Sequence, residues 1–143
     1  MIIGDRIVKH LISSGMMPHE TIPVIENVFH ITYVQNSGAA FSMWENQWVL
    51  LIVLPFVALA AGLVILFLKR KNWNRLTLTA IAFICGGGLG NLIDRIQMGY
   101  VVDMFDFRVF PVFNIADIFV CLGCGLLLLD ALLSERKKKK DDR

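Results

Sequence analysis

Charged and apolar positions are sharply segregated along this 143-residue chain. Trp48 to Leu68 reads WVLLIVLPFVALAAGLVILFL without a charge, which meets the roughly 20 apolar residues that a helix needs to cross a bilayer. Its Pro55 is tolerable there, because spanning helices accommodate proline better than soluble ones. A second uncharged run extends from about Leu76 to Ile93 and carries CGGGLGN near its end. A third, from about Ala116 to Leu133, has Asp117 at its start and is otherwise interrupted only by Asp130. The pattern predicts transmembrane helices over 48–68, 76–93 and 116–133 within one integral membrane domain covering 1–143. Outside these runs the period changes to two. TIPVIENVFHITYV and YVVDMFDFRVFPVF are rich in Val, Ile, Phe and Tyr, alternate in part with polar residues and are bounded by turn formers such as NSG, which predicts a small surface sheet.

Composition fixes the class. Hydrophobic residues make up 56% of the chain and the mean hydropathy is +0.62, beyond a typical soluble domain and without room for a separate one. Charge fixes an expected orientation. The link KRKNWNR and the tail ERKKKKDDR are basic, whereas Ser13 to Gln47 has no Lys or Arg, so the positive-inside rule puts the link and the C-terminus in the cytoplasm. The polar-rich regions before Trp48 and between Asp94 and Asn114 then share the outer face, half immersed in the headgroups. The lysine run reads as a solvated anchor that also attracts anionic lipid.

Candidate chemistry lies at that outer edge. Asp103 falls in the outer loop and Asp117 at the start of the third span, so a modest fold brings two carboxylates together. Such a pair tends to share one proton near neutral pH. One member can then take a proton from water while the other donates to a carbonyl oxygen, as in an aspartic protease. A structural alternative stands beside it: Asn114 can cap the third helix with Asp117 in its first turn, and Asp103 can pair with an arginine.

Four blocks sharpen the choice. NSGAAFS at Asn36 to Ser42, GGLGNLIDR at Gly87 to Arg95, VVDM at Val101 to Met104 and FNIAD at Phe113 to Asp117 closely resemble, in order and spacing, the signature blocks of the bacterial lipoprotein signal peptidases, the type II signal peptidases. The resemblance implies a membrane all-α bundle of four spans, three of them visible here, with a small extracytoplasmic β-cradle. It implies an aspartic endopeptidase of the bacterial cell (inner) membrane that cuts diacylglyceryl-modified prolipoproteins before the lipidated cysteine, with a catalytic dyad at Asp103 and Asp117. Asn36, Asn91, Asp94, Arg95 and Asn114 correspond to polar residues that support the site or contact substrate. An interfacial ion pair closing the second span is the structural alternative for Asp94 and Arg95. Met104 stands where phenylalanine is common, which affects packing more than chemistry.

The N-terminus departs from the family pattern. Its members place a spanning helix before a D-Q-x-x-K motif; here GDRIVKH supplies Asp5 and Lys9, with Arg6 in the glutamine position, and only MIIG precedes it. The expectation is a chain lacking most of its first span, with the natural start upstream of Met1 and Asp5 and Lys9 marking the outer end of the missing helix.

Other features carry no chemistry. GGGLG has neither a preceding strand nor a P-loop lysine and reads as close helix packing. Cys121 and Cys124 read as packing residues within a span, and Cys85 is isolated. His10, His19 and His30 lack ligand spacing, so neither metal nor cofactor is expected. Nothing points to nucleic acid. Prolipoproteins and membrane lipids are the expected partners of a monomer. A channel or transporter that binds protons or cations at its aspartates is the rival reading; its polar residues should be spread through the depth of the spans, and here they gather at one edge.

Overall fold

The computed structural model describes residues 1–38, 47–69, 71 and 73–141; Ala39 to Ser42 of the NSGAAFS block lie outside them. Four helices and three strands follow in the order α1 (Ile2–Gly15), β1 (Thr21–Ile25), β2 (Phe29–Asn36), α2 (Trp48–Lys69), α3 (Arg75–Met98), β3 (Val101–Asp106) and α4 (Ile115–Asp141).

Among the described residues three helices, α2, α3 and α4, are long and apolar enough to cross a membrane. Helix α2 has 22 residues, about 33 Å at roughly 1.5 Å per residue, and most of its large apolar side chains point outward, as expected where lipid replaces water. Helices α3 and α4 approach closely. A Cβ on Gly87 would run into the Ala116 carbonyl and one on Gly123 would lie 2.6 Å from the Ala80 carbonyl, so the glycines serve helix contact.

Two helices outrun the apolar pattern. The sequence places the end of the second span at Ile93, yet α3 continues to Met98 and stops where Gly99 adopts φ 80° and donates its N–H to the Arg95 carbonyl. Asp94 and Arg95 therefore belong to the helix rather than to a loop after it. The stop signal is the left-handed glycine, not the first charge. Helix α4 runs past Leu133 through the lysines to Asp141, because basic residues suit a helix C-terminus.

GDRIVKH lies within the 14-residue α1. The polar side chains Asp5 and Lys9 point inward and are buried, while Ile3, Ile7 and Leu11 are exposed. Val8, Ile12 and Met16 pack against the sheet core of Tyr33, Val102 and Met104.

The sheet is antiparallel in the order β1-β2-β3. Strand β3 is almost wholly buried and the edge strand β1 is exposed throughout, which suits Pro23. The strand-like pattern of 100–113 overstates β3. At Asp106 the carboxylate accepts the Arg108 N–H at 2.8 Å, Arg108 takes φ 65°, and the chain turns back so that Phe113 bridges Phe105. The local side-chain hydrogen bond competes with the ladder and ends it.

Candidate active site

The chain after β3 folds over the end of the helices and starts α4 beside β3. Asn114 is the first residue of that contact and holds both elements. Its Oδ1 accepts the Asp117 N–H at 3.0 Å while Asp117 Oδ2 accepts the Asn114 N–H at 3.1 Å, a reciprocal cap of the helix start. Its amide nitrogen donates to Asp103 Oδ1 at 2.6 Å and to Asn91 Oδ1 at 3.1 Å. The capping arrangement foreseen as an alternative to a carboxylate pair is thus the means by which the two carboxylates are brought together.

Each aspartate keeps two defined partners. Asp103, on β3, is 2% exposed and also accepts from Asn36 Nδ2 at 2.9 Å. Asp117 accepts from Asn91 Nδ2 at 2.7 Å. Burial, together with the nearby Asp117 charge, pushes Asp103 up to about 6, against the opposing pull of the Asn36 and Asn114 hydrogen bonds and the Lys9 charge. No arginine pairs with Asp103 among the described residues.

Behind the carboxylates lies a buried ionic cluster. The Lys9 ammonium, 4% exposed, meets Asp5 Oδ2 at 2.9 Å, Asp94 Oδ2 at 2.6 Å and Asn91 Oδ1 at 2.8 Å, which uses all three of its N–H donors. Asp5 Oδ1 accepts the Ala116 N–H at 3.0 Å, so a carboxylate on α1 helps to cap α4. Asp94 also pairs with Arg6 at 2.7 Å, and Arg6 donates to Gln97 at 2.6 Å.

These contacts correct the proposed Asp94–Arg95 ion pair. Asp94 turns toward α1, whereas Arg95 donates to the Gly38 carbonyl at 2.8 Å. Adjacent helical residues point about 100° apart, so they serve different neighbours. The sequence assigns no site role to Arg6 or Gln97. The Arg6 position in the motif was the available signal.

Asn36, Asn91, Arg95, Asp103 and Asp117 line one cleft of about 270 Å³, walled on the other side by Phe110 to Phe113 and by Val120 and Cys121. The aromatic wall is self-supporting: Phe113 stacks on Phe107 at 5.9 Å and meets Phe110 edge-on at 6.0 Å, geometries favoured by ring quadrupoles. An apolar groove of about 580 Å³ continues from the cleft along α4 past Ile118, Leu122 and Leu126. Cys121 and Cys124 are free and exposed, not packed between helices. Asp5, Lys9 and Asp94 lie behind the cleft and do not line it. The arrangement offers two carboxylates that can hold one proton between them, amide donors around them, and an apolar approach.

Comparison with known proteins agrees in sequence and shape. The family model described as signal peptidase (SPase) II matches residues 1–133. The lipoprotein signal peptidase of Halothermothrix orenii is 47% identical over 129 residues, covering 90% of this chain and 88% of the relative. That of Clostridioides difficile is 43% identical, covering 97% and 95%. A bacterial membrane enzyme solved by the in meso method at 2.3 Å superposes with a TM-score of 0.87 at 32% identity, over 96% of this chain and 85% of the other. None of these relatives favours a channel or transporter. With three helices fit to span, a sheet at one end and the match over most of its length, this multi-pass membrane protein belongs to the signal peptidase II family.

Proposed function

We infer that the chain removes signal peptides from diacylglyceryl-modified prolipoproteins, cutting before the lipidated cysteine, and that it does so as an aspartic endopeptidase. The observation that carries this reading is Asn114 joining Asp103 and Asp117 in one cleft. With one proton between them, the ionised carboxylate takes a proton from water as it attacks the scissile carbonyl, and the protonated one donates to the carbonyl oxygen. As the tetrahedral gem-diol collapses and its C–N bond breaks, the carboxyl that took water's proton gives it to the leaving amine nitrogen, and the other carboxylate takes back a hydroxyl proton, which restores the singly protonated pair. Neither a metal nor a side-chain nucleophile takes part.

Asn36, Asn91 and Asn114 hold the carboxylates without adding charge, and Arg95 fixes the backbone at Gly38 and lines the cleft. Asp5, Lys9 and Asp94 position them from behind. The apolar groove along α4 supports substrate entry from lipid, so a peptide helix and its acyl chains need not be extracted into water. By the positive-inside rule the site faces the extracytoplasmic side of the cell membrane and the C-terminus the cytoplasm.

The test is incubation of the purified protein with a diacylglyceryl-modified prolipoprotein, followed by mass analysis. The expected product begins at the lipidated cysteine, with chelators present or absent. Intact precursor after incubation with folded protein overturns the reading.

A further inference from the structure

The end of the bundle opposite the sheet carries a second apolar groove that the proposed chemistry does not use. It lies between α2 and α3, encloses about 340 Å³ and is walled by Ala58, Gly62, Ile65, Ile81 and Ile84, with Trp73 at its mouth. The size lies within the roughly 300–1,000 Å³ of ligand sites. Gly62 makes the hollow: a Cβ there would come within 3.2 Å of the Cys85 sulfur.

The charged residues that α2, the link and α3 carry next to the groove are cations. Ala58, Gly62, Ile65 and Lys69 recur at helical spacing, so the apolar stripe of α2 ends in an ammonium on the same face. Lys71 and Arg75 flank Trp73 in the link and at the start of α3, and all three cations are exposed. Asp130, toward the same end on α4, accepts from Asn74 Nδ2 and Thr77 Oγ1 at 2.6 Å each. A groove with apolar walls, a half-buried tryptophan at its rim and exposed cations beyond it matches one kind of molecule. Tryptophan prefers the headgroup level and lysine attracts anionic headgroups.

We propose that the α2–α3 groove is a binding site for one anionic phospholipid, its acyl chain between Ala58 and Ile84 and its headgroup phosphate at Trp73, Lys69 and Lys71. The site is separate from the α4 groove that leads to the aspartates.

Native mass spectrometry of the full chain in detergent tests it, with phosphatidylglycerol or phosphatidylcholine of the same acyl composition added. One phosphatidylglycerol should be retained per chain, at least fivefold more than phosphatidylcholine. The Lys69→Gln, Lys71→Gln double variant should reduce that preference to less than twofold. Ala58→Trp, which fills the groove from an exposed position, should lower retention of both lipids at least threefold, and the charge variant keeps the test decisive if that chain misfolds. Equal retention of the two lipids by the parent chain, or an unchanged preference in the charge variant, overturns the proposal.

Discussion

A single amide joins Lys9 to Asp117: the ammonium donates to Asn91 Oδ1 at 2.8 Å, and Asn91 Nδ2 donates to Asp117 Oδ1 at 2.7 Å. The cation that neutralises Asp5 and Asp94 thereby also fixes which way the Asn91 amide points, and so what Asp117 receives. Replacing Lys9 with Met leaves Asp5 and Asp94 buried with one partner fewer. A loss of about 3–5 kcal/mol is expected, read as a fall in Tm in detergent. Adding Asp5→Asn to Lys9→Met should recover part of it; strictly additive losses would break the assigned coupling.

Asp103→Asn and Asp117→Asn should each lower the cleavage rate by at least 10²–10⁴-fold, on the order of what a positioned acid or base contributes. Turnover within tenfold of the parent, at matched folded protein, contradicts the dyad.

The position of Asp103 near 6 sets two pH dependences. On the proposed mechanism the singly protonated pair is the competent form, so kcat/KM should decline above about pH 6 as its last proton is lost, the value belonging to the pair as a whole. Stability follows the same group. The folded state holds the Asp103 proton from its ordinary value of about 3.9 up to about 6, whereas the unfolded chain releases it. Stability from this group is therefore full below about pH 4 and falls as pH rises to 6. In Asp103→Asn that fall in Tm should be reduced, and an identical pH profile in both proteins would exclude Asp103 as its source.

Asn114 has two duties that separate by substitution. Asn114→Ala removes both the cap and the link to Asp103, costing about 0.5–2 kcal/mol for the cap alone. Asn114→Ser retains a capping hydroxyl but cannot donate two amide hydrogens to Asp103 and Asn91. It should keep most of the stability and lose most of the cleavage. Equal activity in Asn114→Ser and the parent, measured at matched folded protein, would show that the link to Asp103 is unimportant.

Cys121 lies one turn beyond Asp117 and lines the cleft. A bulky maleimide should therefore slow cleavage by obstruction although the proposed chemistry uses no thiol, and Cys121→Ser should be active and resistant. Inactivity of Cys121→Ser would instead give the thiol a chemical role.

The spans, the sheet and the Asn114 helix start were legible because each follows from local spacing: uncharged runs of membrane length, period-two segments, and an Asn-x-x-Asp start; spacing left the pairing of Asp103 with Asp117 open, and the resemblance of four blocks pointed to it. Less legible was everything set by contacts between distant segments. The charges of Asp94 and Arg95 suggested an end to α3, but burial against Lys9 and Arg6 makes Asp94 compatible with the helix, and Gly99 ends it instead. Asp5 and Lys9 were identified through their motif, yet nothing local indicates that α1 turns its polar face inward. The 107–113 segment reads as a strand by composition; the Asp106–Arg108 hydrogen bond, a matter of three residues, overrides it.

The Asp5–Ala116 hydrogen bond has a consequence for how the protein is made. It links residues 111 positions apart, and contacts of such separation form late, since loop closure precedes any gain from them. During synthesis the start of α1 is complete long before the α4 segment leaves the ribosome, and Asp5 has no helix to cap until then. A nascent chain accordingly holds Asp103 without Asp117 or the helix that carries it. On the proposed chemistry, the pair of carboxylates is complete only once the last helix has docked, so the α1–α4 contact and the cleft are finished together.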